Sequence, residues 1–162
     1  MTRQETSHVI GVRHVGLGAR DPAALAAFFH NLLGLHLVGG SAAGTFALGA
    51  TAFLSSHPDE ESHDLALFAN PALQHTAFKV ASLADLRAVY RRVLDRGIPV
   101  KMAFNHAASL AFYFEDPEGH LLEVYWPTGV RWRQPHAEPI DLTLSEEALR
   151  RVVAELTSQA ER

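Results

Sequence analysis

The 162-residue chain contains no cysteine. That excludes disulfides, thiolate nucleophiles and cysteine-ligated zinc or iron–sulfur sites, and it fits a reducing compartment. A basic excess is also missing. Fourteen Lys and Arg against eighteen Asp and Glu leave a net charge of −4, with no basic stripe, so nucleic acid is not an expected partner. No run of 18 apolar residues occurs, and the N-terminal MTRQETSHVIGV has no apolar stretch of the kind a secretory signal needs. The expectation is a cytoplasmic protein with no membrane partner. What the chain does have is apolar mass: 48% of its residues are hydrophobic and 20% charged, enough for a real core. It also has ten histidines, the side chains whose proton changes hands near neutral pH.

The sequence repeats itself. Residues from His14, HVGLGARDPAALAAFFHNLLGLHLV, lie over those from His75, HTAFKVASLADLRAVYRRVLDRGIPV, at an offset of 61 that drifts to 63 at Gly34 and Gly97. Each copy opens as a strand and passes into a helix. Asp21 with Pro22, and Ser82 with Asp85, are the start signals. Apolar residues recur every three to four positions, as Leu25, Phe28, Phe29, Leu32 and Leu33 in one helix and Leu86, Val89, Tyr90, Val93 and Leu94 in the other. Gly34 and Gly97 stop them. Three strand-like runs follow each helix, with DPEG as a turn in the second copy. Neither half has enough core to stand alone, but two together enclose a cleft.

The predicted organisation is therefore α+β: two βαβββ modules over 8–70 and 71–128, forming a half-open, incomplete barrel. Residues 129–162 form a C-terminal extension. Its Pro-rich beginning reads as irregular. It is followed by a helix with Thr143 and Glu146 as a capping box and Leu149, Val152, Val153 and Leu156 as an apolar stripe. That stripe is expected to cover a sheet edge or an oligomer contact, with a lid over a site as the alternative. A homo-oligomer, most simply a dimer, is expected.

Within SLAFYFEDPEGHLLEVYW, Glu123 sits among Leu121, Leu122, Val124, Tyr125 and Trp126. A buried carboxylate costs several kcal/mol unless it is paired or bound to a cation. His14 and His75 open equivalent strands, so a pseudo-twofold brings them together, and Glu123 has the chemistry to join them. Two imidazoles and one carboxylate make a facial triad suited to Fe(II) or Mn(II), with positions left open. The plainer readings are two hydrogen-bonded structural histidines and a glutamate on the wet face of its strand.

At these residues the chain resembles the vicinal oxygen chelate superfamily, which includes glyoxalase I, bleomycin and fosfomycin resistance proteins, and type I extradiol ring-cleaving dioxygenases. The resemblance covers about residues 10–127, and FYFEDPEGHLLEVYW is its most specific tract. It implies His14, His75 and Glu123 as metal ligands. SHDLALFANPALQHTAFKVASLADL and NHAASLAFYFEDPEGHLLE are similar to the extradiol enzymes of the small two-module kind. That likeness implies His63 as an acid–base residue beside the metal and His106 and Tyr113 as contacts to the substrate oxygens. Phe104 departs from that group's pattern, which has a small or β-branched residue there.

The implied activity is oxidative cleavage of a catechol-type aromatic diol by O2, with Fe(II) as cofactor, or Mn(II) or another divalent metal in its place. Phe46, Phe104 and Phe112 are candidate pocket walls. Two other enzyme readings stay open: a glyoxalase-like isomerase, or a thiol transferase of the fosfomycin-resistance kind. The isomerase wants a fourth ligand on the first module's last strand, where shifting Glu123 back by 61 lands on Ser62, with Asp64 two residues on. A third reading is a metal-free, bleomycin-resistance-like drug-binding protein.

Overall fold

The computed structural model describes residues 8–60 and 62–160. The first module contains β1 (Val9–Gly18), α1 (Pro22–Leu33), β2 (His36–Ser41), β3 (Thr51–Ser55) and β4 (Leu65–Phe68). A single 3-10 turn, Pro71–Leu73, leads to the second module: β5 (His75–Val80), α2 (Leu83–Asp95), β6 (Val100–Asn105), β7 (Ser109–Glu115) and β8 (Leu121–Pro127). A two-residue strand β9 (Glu138–Pro139) and helix α3 (Glu146–Ala160) complete the chain. No helix among the described residues is long and apolar enough to cross a membrane.

All nine strands form one curled sheet in the order β2-β3-β4-β1-β5-β8-β7-β6-β9. The order is symmetric about the antiparallel β1/β5 seam. On either side, β1 runs parallel to β4 and β5 parallel to β8. The sheet makes a half-barrel whose convex side carries the helices. β3 and β4 are buried at every position, because α1 covers one face and the barrel interior the other. Their continuous apolar sequences, TAFLS and LALF, reflect burial on both faces.

The helix starts follow local chemistry. The Asp21 side chain accepts from the Ala24 N–H at 3.0 Å, and the Ser82 hydroxyl accepts from the Asp85 N–H at 3.1 Å. Gly34 closes α1 at φ 71°, a left-handed conformation that favours glycine. The buried face of α1 differs from the expected stripe. Ala26 and the part-buried Leu25 and Phe29 pack on Leu54, Leu65 and Leu67. Phe28, Leu32 and Leu33 are 53%, 65% and 62% exposed.

From the C-terminal stripe, Leu149 packs into the chain's own core and not over a sheet edge. Leu142 and Leu149 are 1% and 0% exposed and join Val80, Leu86, Leu110, Phe112 and Val124 in the core on the convex side of the second module. Burying each leucine contributes about 2 kcal/mol. The edge of β6 is capped instead by β9, with Phe104 opposite Pro139 and Asn105 opposite Glu138. The start of α3 also corrects the expected box: Ser145 is the capping residue, its hydroxyl accepting from the Ala148 N–H at 3.1 Å. Thr143 is held one turn earlier, its hydroxyl donating to Asp141 Oδ1.

Candidate metal centre and the pocket around it

The seam between the modules sets the site. On β1, His14 stands opposite Ala77 of β5, and Gly16 stands opposite His75. On β8, Glu123 is in register with that same Ala77 and lies across from Tyr113 of β7. Alternation along the strands turns all three polar side chains into the concave face. Their ligand atoms lie within 4.8 Å of one another. His14 Nε2 is 3.1 Å, and His75 Nε2 3.0 Å, from the same carboxylate oxygen, Oε2 of Glu123. The side chains are only 6%, 6% and 4% exposed.

Two details orient His75. Its Nδ1–H donates to the Leu73 carbonyl at 2.8 Å. In the neutral ring this leaves the lone pair on Nε2, which faces the triad. Gly16 makes room for the ring, since a Cβ on it would lie 2.6 Å from His75 Nδ1.

Burial pushes the Glu123 carboxyl up, but His14 and His75 together hold it well below the usual carboxylate range. Burial lowers the basicity of His75, and the Glu123 contact outweighs this and raises it. The triad thus joins a firm carboxylate to imidazoles. The His75 Nε2 is buried and, despite its nearness to Glu123, off the hydrogen-bond direction and without a hydrogen bond. An orphaned imidazole nitrogen, an acceptor-only carboxylate and a glycine cradle fit a divalent ion bound by nitrogen and oxygen.

A pocket opens over the triad, and five of the ten histidines line it: His14, His63, His75, His106 and His136. The ring of His63, just before β4, lies 4.3 Å from that of His14 and 5.0 Å from that of Phe53. Its Nδ1 is 3.1 Å from Ser62 Oγ. Burial, and then the neighbouring His14, hold His63 well below its ordinary basicity, so it is neutral at pH 7. His106 follows β6, and its Nδ1–H donates to the His136 carbonyl at 2.7 Å. Its Nε2 then accepts from the Tyr113 hydroxyl at 3.0 Å. Burial, reinforced by the Glu123 charge, keeps the Tyr113 phenol protonated, well above its usual range.

Phe46 and Phe104 line the pocket as expected. Phe112 does not: it is 0% exposed in the convex-side core, its ring 5.1 Å from that of Tyr90. The reason is strand parity. Phe112 and Tyr113 are neighbours on β7, so only one can face the concave side.

The irregular stretch after β8 supplies residues that sequence reasoning missed. Gln134, Pro135, His136 and Ala137 form part of the pocket wall. This strap is tied to the first module, with Arg131 Nη2 donating to the Asp59 carbonyl at 3.0 Å and the Gly40 N–H donating to the Gln134 carbonyl at 3.3 Å. Gly39 permits the approach, since a Cβ there would lie 2.9 Å from that carbonyl oxygen. The available signal was the polar pair Gln134 and His136 inside a Pro-rich tract.

Among the described residues, no fourth carboxylate joins the triad. Asp64 turns away, accepting from the Ser56 N–H and hydroxyl. The counterpart of Glu123 is not Ser62 either. Gly16 pairs Ala66 as Ala77 pairs Glu123, so the equivalent position is Ala66, which is 0% exposed. The expected offset missed it because the connection before β4 is longer than the tight turn before β8.

Residues 11–124 match the Glyoxalase/Bleomycin resistance protein/Dioxygenase superfamily, and the chain belongs to it. Among curated relatives, biphenyl-2,3-diol 1,2-dioxygenase 3 of Rhodococcus globerulus is 29% identical over 123 residues, 68% of this chain and 60% of the relative. The metallothiol transferase FosB of Shouchella clausii (strain KSM-K16) is 28% identical over 125 residues, 74% of this chain and 82% of its own. Among solved structures, a catechol 2,3-dioxygenase superposes with a TM-score of 0.63 at 25% identity, over 86% of this chain and 49% of the other. The match thus spans 60% of that curated dioxygenase and 49% of the solved one.

Gly16→Ala tests the cradle. The added methyl displaces the His75 ring, and divalent-metal affinity is expected to fall about 10- to 100-fold, measured by titration of the metal-free protein. Unchanged affinity would show that His75 does not need the space.

Proposed function

We propose that this protein is a metal-dependent extradiol dioxygenase that cleaves a catechol-type aromatic diol with O2, with Fe(II) held by His14, His75 and Glu123. The observation that carries the reading is convergence. A three-donor triad shares one largely apolar pocket with His63, His106 and Tyr113, and apolar walls with a few polar anchors suit an aromatic ring. Two curated relatives, biphenyl-2,3-diol 1,2-dioxygenases 2 and 3 of Rhodococcus globerulus, support it.

Bound at the triad, a ferrous ion supplies Lewis acidity toward two vicinal oxygens and a path for electrons between ring and O2. The chain's own groups do the rest. Phe46, Phe53, Phe68 and Phe104 hold the ring and exclude water. His63, neutral at pH 7, takes the proton that the diol releases on binding. The Tyr113 hydroxyl and His106 Nε2, bonded to each other in the free site, exchange that bond for contacts to the substrate oxygens. The carbon–carbon bond beside the diol breaks, and both atoms of O2 enter the opened product.

The second enzyme reading, a thiol transferase, has support from the FosB relative. No Lys or Arg occurs among the described residues lining the pocket, so an anionic substrate would find no cationic partner there. That favours an uncharged aromatic ligand.

Anaerobic Fe(II) loading followed by a panel of catechols and air tests the reaction. Oxygen uptake with a yellow ring-opened product is expected, and iron uptake without colour for any catechol contradicts it. His63→Ala should retain the iron yet lose about 10²- to 10⁴-fold in turnover; full activity would remove the acid–base role.

We also propose a homodimer. Phe28, Leu32 and Leu33 on α1 and Leu37 at the start of β2 are all more than half exposed. A second copy is the simplest cover. Light scattering should give twice the 17.7 kDa chain mass, falling to the monomer in Leu32→Glu. A monomeric wild type would contradict it.

A further inference from the structure

Two hydrogen bonds tie the strap to His106, and a third within the strap links them. The Gln134 side-chain amide donates from Nε2 to the His106 carbonyl at 2.9 Å. The same amide accepts at Oε1 from the His136 N–H at 3.2 Å. The His136 carbonyl in turn accepts from His106 Nδ1–H at 2.7 Å. The amide orientation is fixed by this pattern, since the reversed amide would set oxygen against oxygen and N–H against N–H. The carbonyl of Gln134 is itself held by Gly40 of the first module.

A neutral imidazole carries its proton on one nitrogen only, and the hydrogen bond at one nitrogen decides what the other presents. With Nδ1–H committed to the His136 carbonyl, the pocket-facing Nε2 is an acceptor, and it meets the Tyr113 hydroxyl at 3.0 Å. Nothing in β6 or β7 supplies the carbonyl that makes this choice. It comes from outside the two modules, and its place depends on the side chain two residues before it.

We propose that Gln134 is a positioning residue: by bridging His106 and His136, its amide aims the His136 carbonyl at His106 Nδ1 and keeps the His106 lone pair turned into the pocket. The strap is then a working part of the site and not a cover alone. The functional consequence rests on the dioxygenase reading, in which His106 meets a substrate oxygen. The tautomer itself does not.

The test is Gln134→Met, which preserves side-chain length and removes both amide bonds, with Gln134→Ala as a second variant should the first not fold. Two-bond ¹⁵N–¹H spectra of the metal-free protein read each histidine's tautomer directly. In the wild type, His106 should show one pyrrole-type and one pyridine-type nitrogen. In the variants both His106 signals should move toward the average of the two types, while those of His14 and His75 stay in place. A His106 pattern identical to wild type overturns the proposal, as does a simultaneous change in all the pocket histidines, which marks a merely structural strap. If catechols are turned over, kcat in Gln134→Met should fall about 10- to 100-fold at unchanged iron content. A collapsed His106 signature in a protein that turns over no catechol upholds the positioning role and removes the dioxygenase reading instead.

Discussion

One buried carboxylate organises this molecule. Glu123 is 3% exposed, and an ionised carboxyl so placed costs several kcal/mol unless charge or strong donors meet it. His14 Nε2 is hydrogen-bonded to one of its oxygens at 3.1 Å, and His75 Nε2 stands 3.0 Å from that same oxygen without a hydrogen bond, which leaves a place for a cation between them. Each partner comes from a different strand, so the pairing requires β1, β5 and β8 to be adjacent. The β1/β5 seam and the parallel β5/β8 pair provide that adjacency. The sheet order, the Gly16 cradle and the polar cluster are parts of one arrangement.

The duplication explains both the symmetry and its limits. Histidines occupy equivalent positions in the pairing, although His14 lies in the middle of β1 and His75 opens β5, whereas the position equivalent to Glu123 is Ala66 and the position equivalent to Tyr113 is Phe53, each read from the paired strands. The first module therefore contributes apolar wall and His63, and the second contributes the carboxylate, His106 and Tyr113. Symmetric scaffolding with asymmetric filling leaves one side of the pocket greasy and the other polar, as suits a ligand with an apolar ring and a polar edge. The C-terminal extension adds to the asymmetry, because Leu142 and Leu149 thicken only the second module's core.

Much of this was legible in the sequence. The two modules could be read because the repeat doubled every local signal, and the His14, His75 and Glu123 convergence followed from placing like residues on like strands. What escaped depended on register and on contacts distant in sequence. Ser62 stood in for Ala66 because loop length, invisible to a constant offset, sets where β4 begins. Phe112 was readable after all, since Tyr113 facing the pocket sends its neighbour to the other side. Gln134 and His136 were not, because their bonds to His106 span 28 and 30 residues and no periodicity marks a strap. The outer face of α1 ran against its pattern for a related reason: a helical stripe identifies apolar residues but not how many of them the sheet can cover.

The central claim is that His14, His75 and Glu123 act together as one divalent-metal site. The most direct measurement is iron retained after anaerobic Fe(II) loading and desalting, in the wild type and in each single alanine variant of the three. About one equivalent per chain in the wild type and less than about a tenth in every variant is the expected result. A wild type that retains no metal, or variants that retain as much as the wild type, would contradict it.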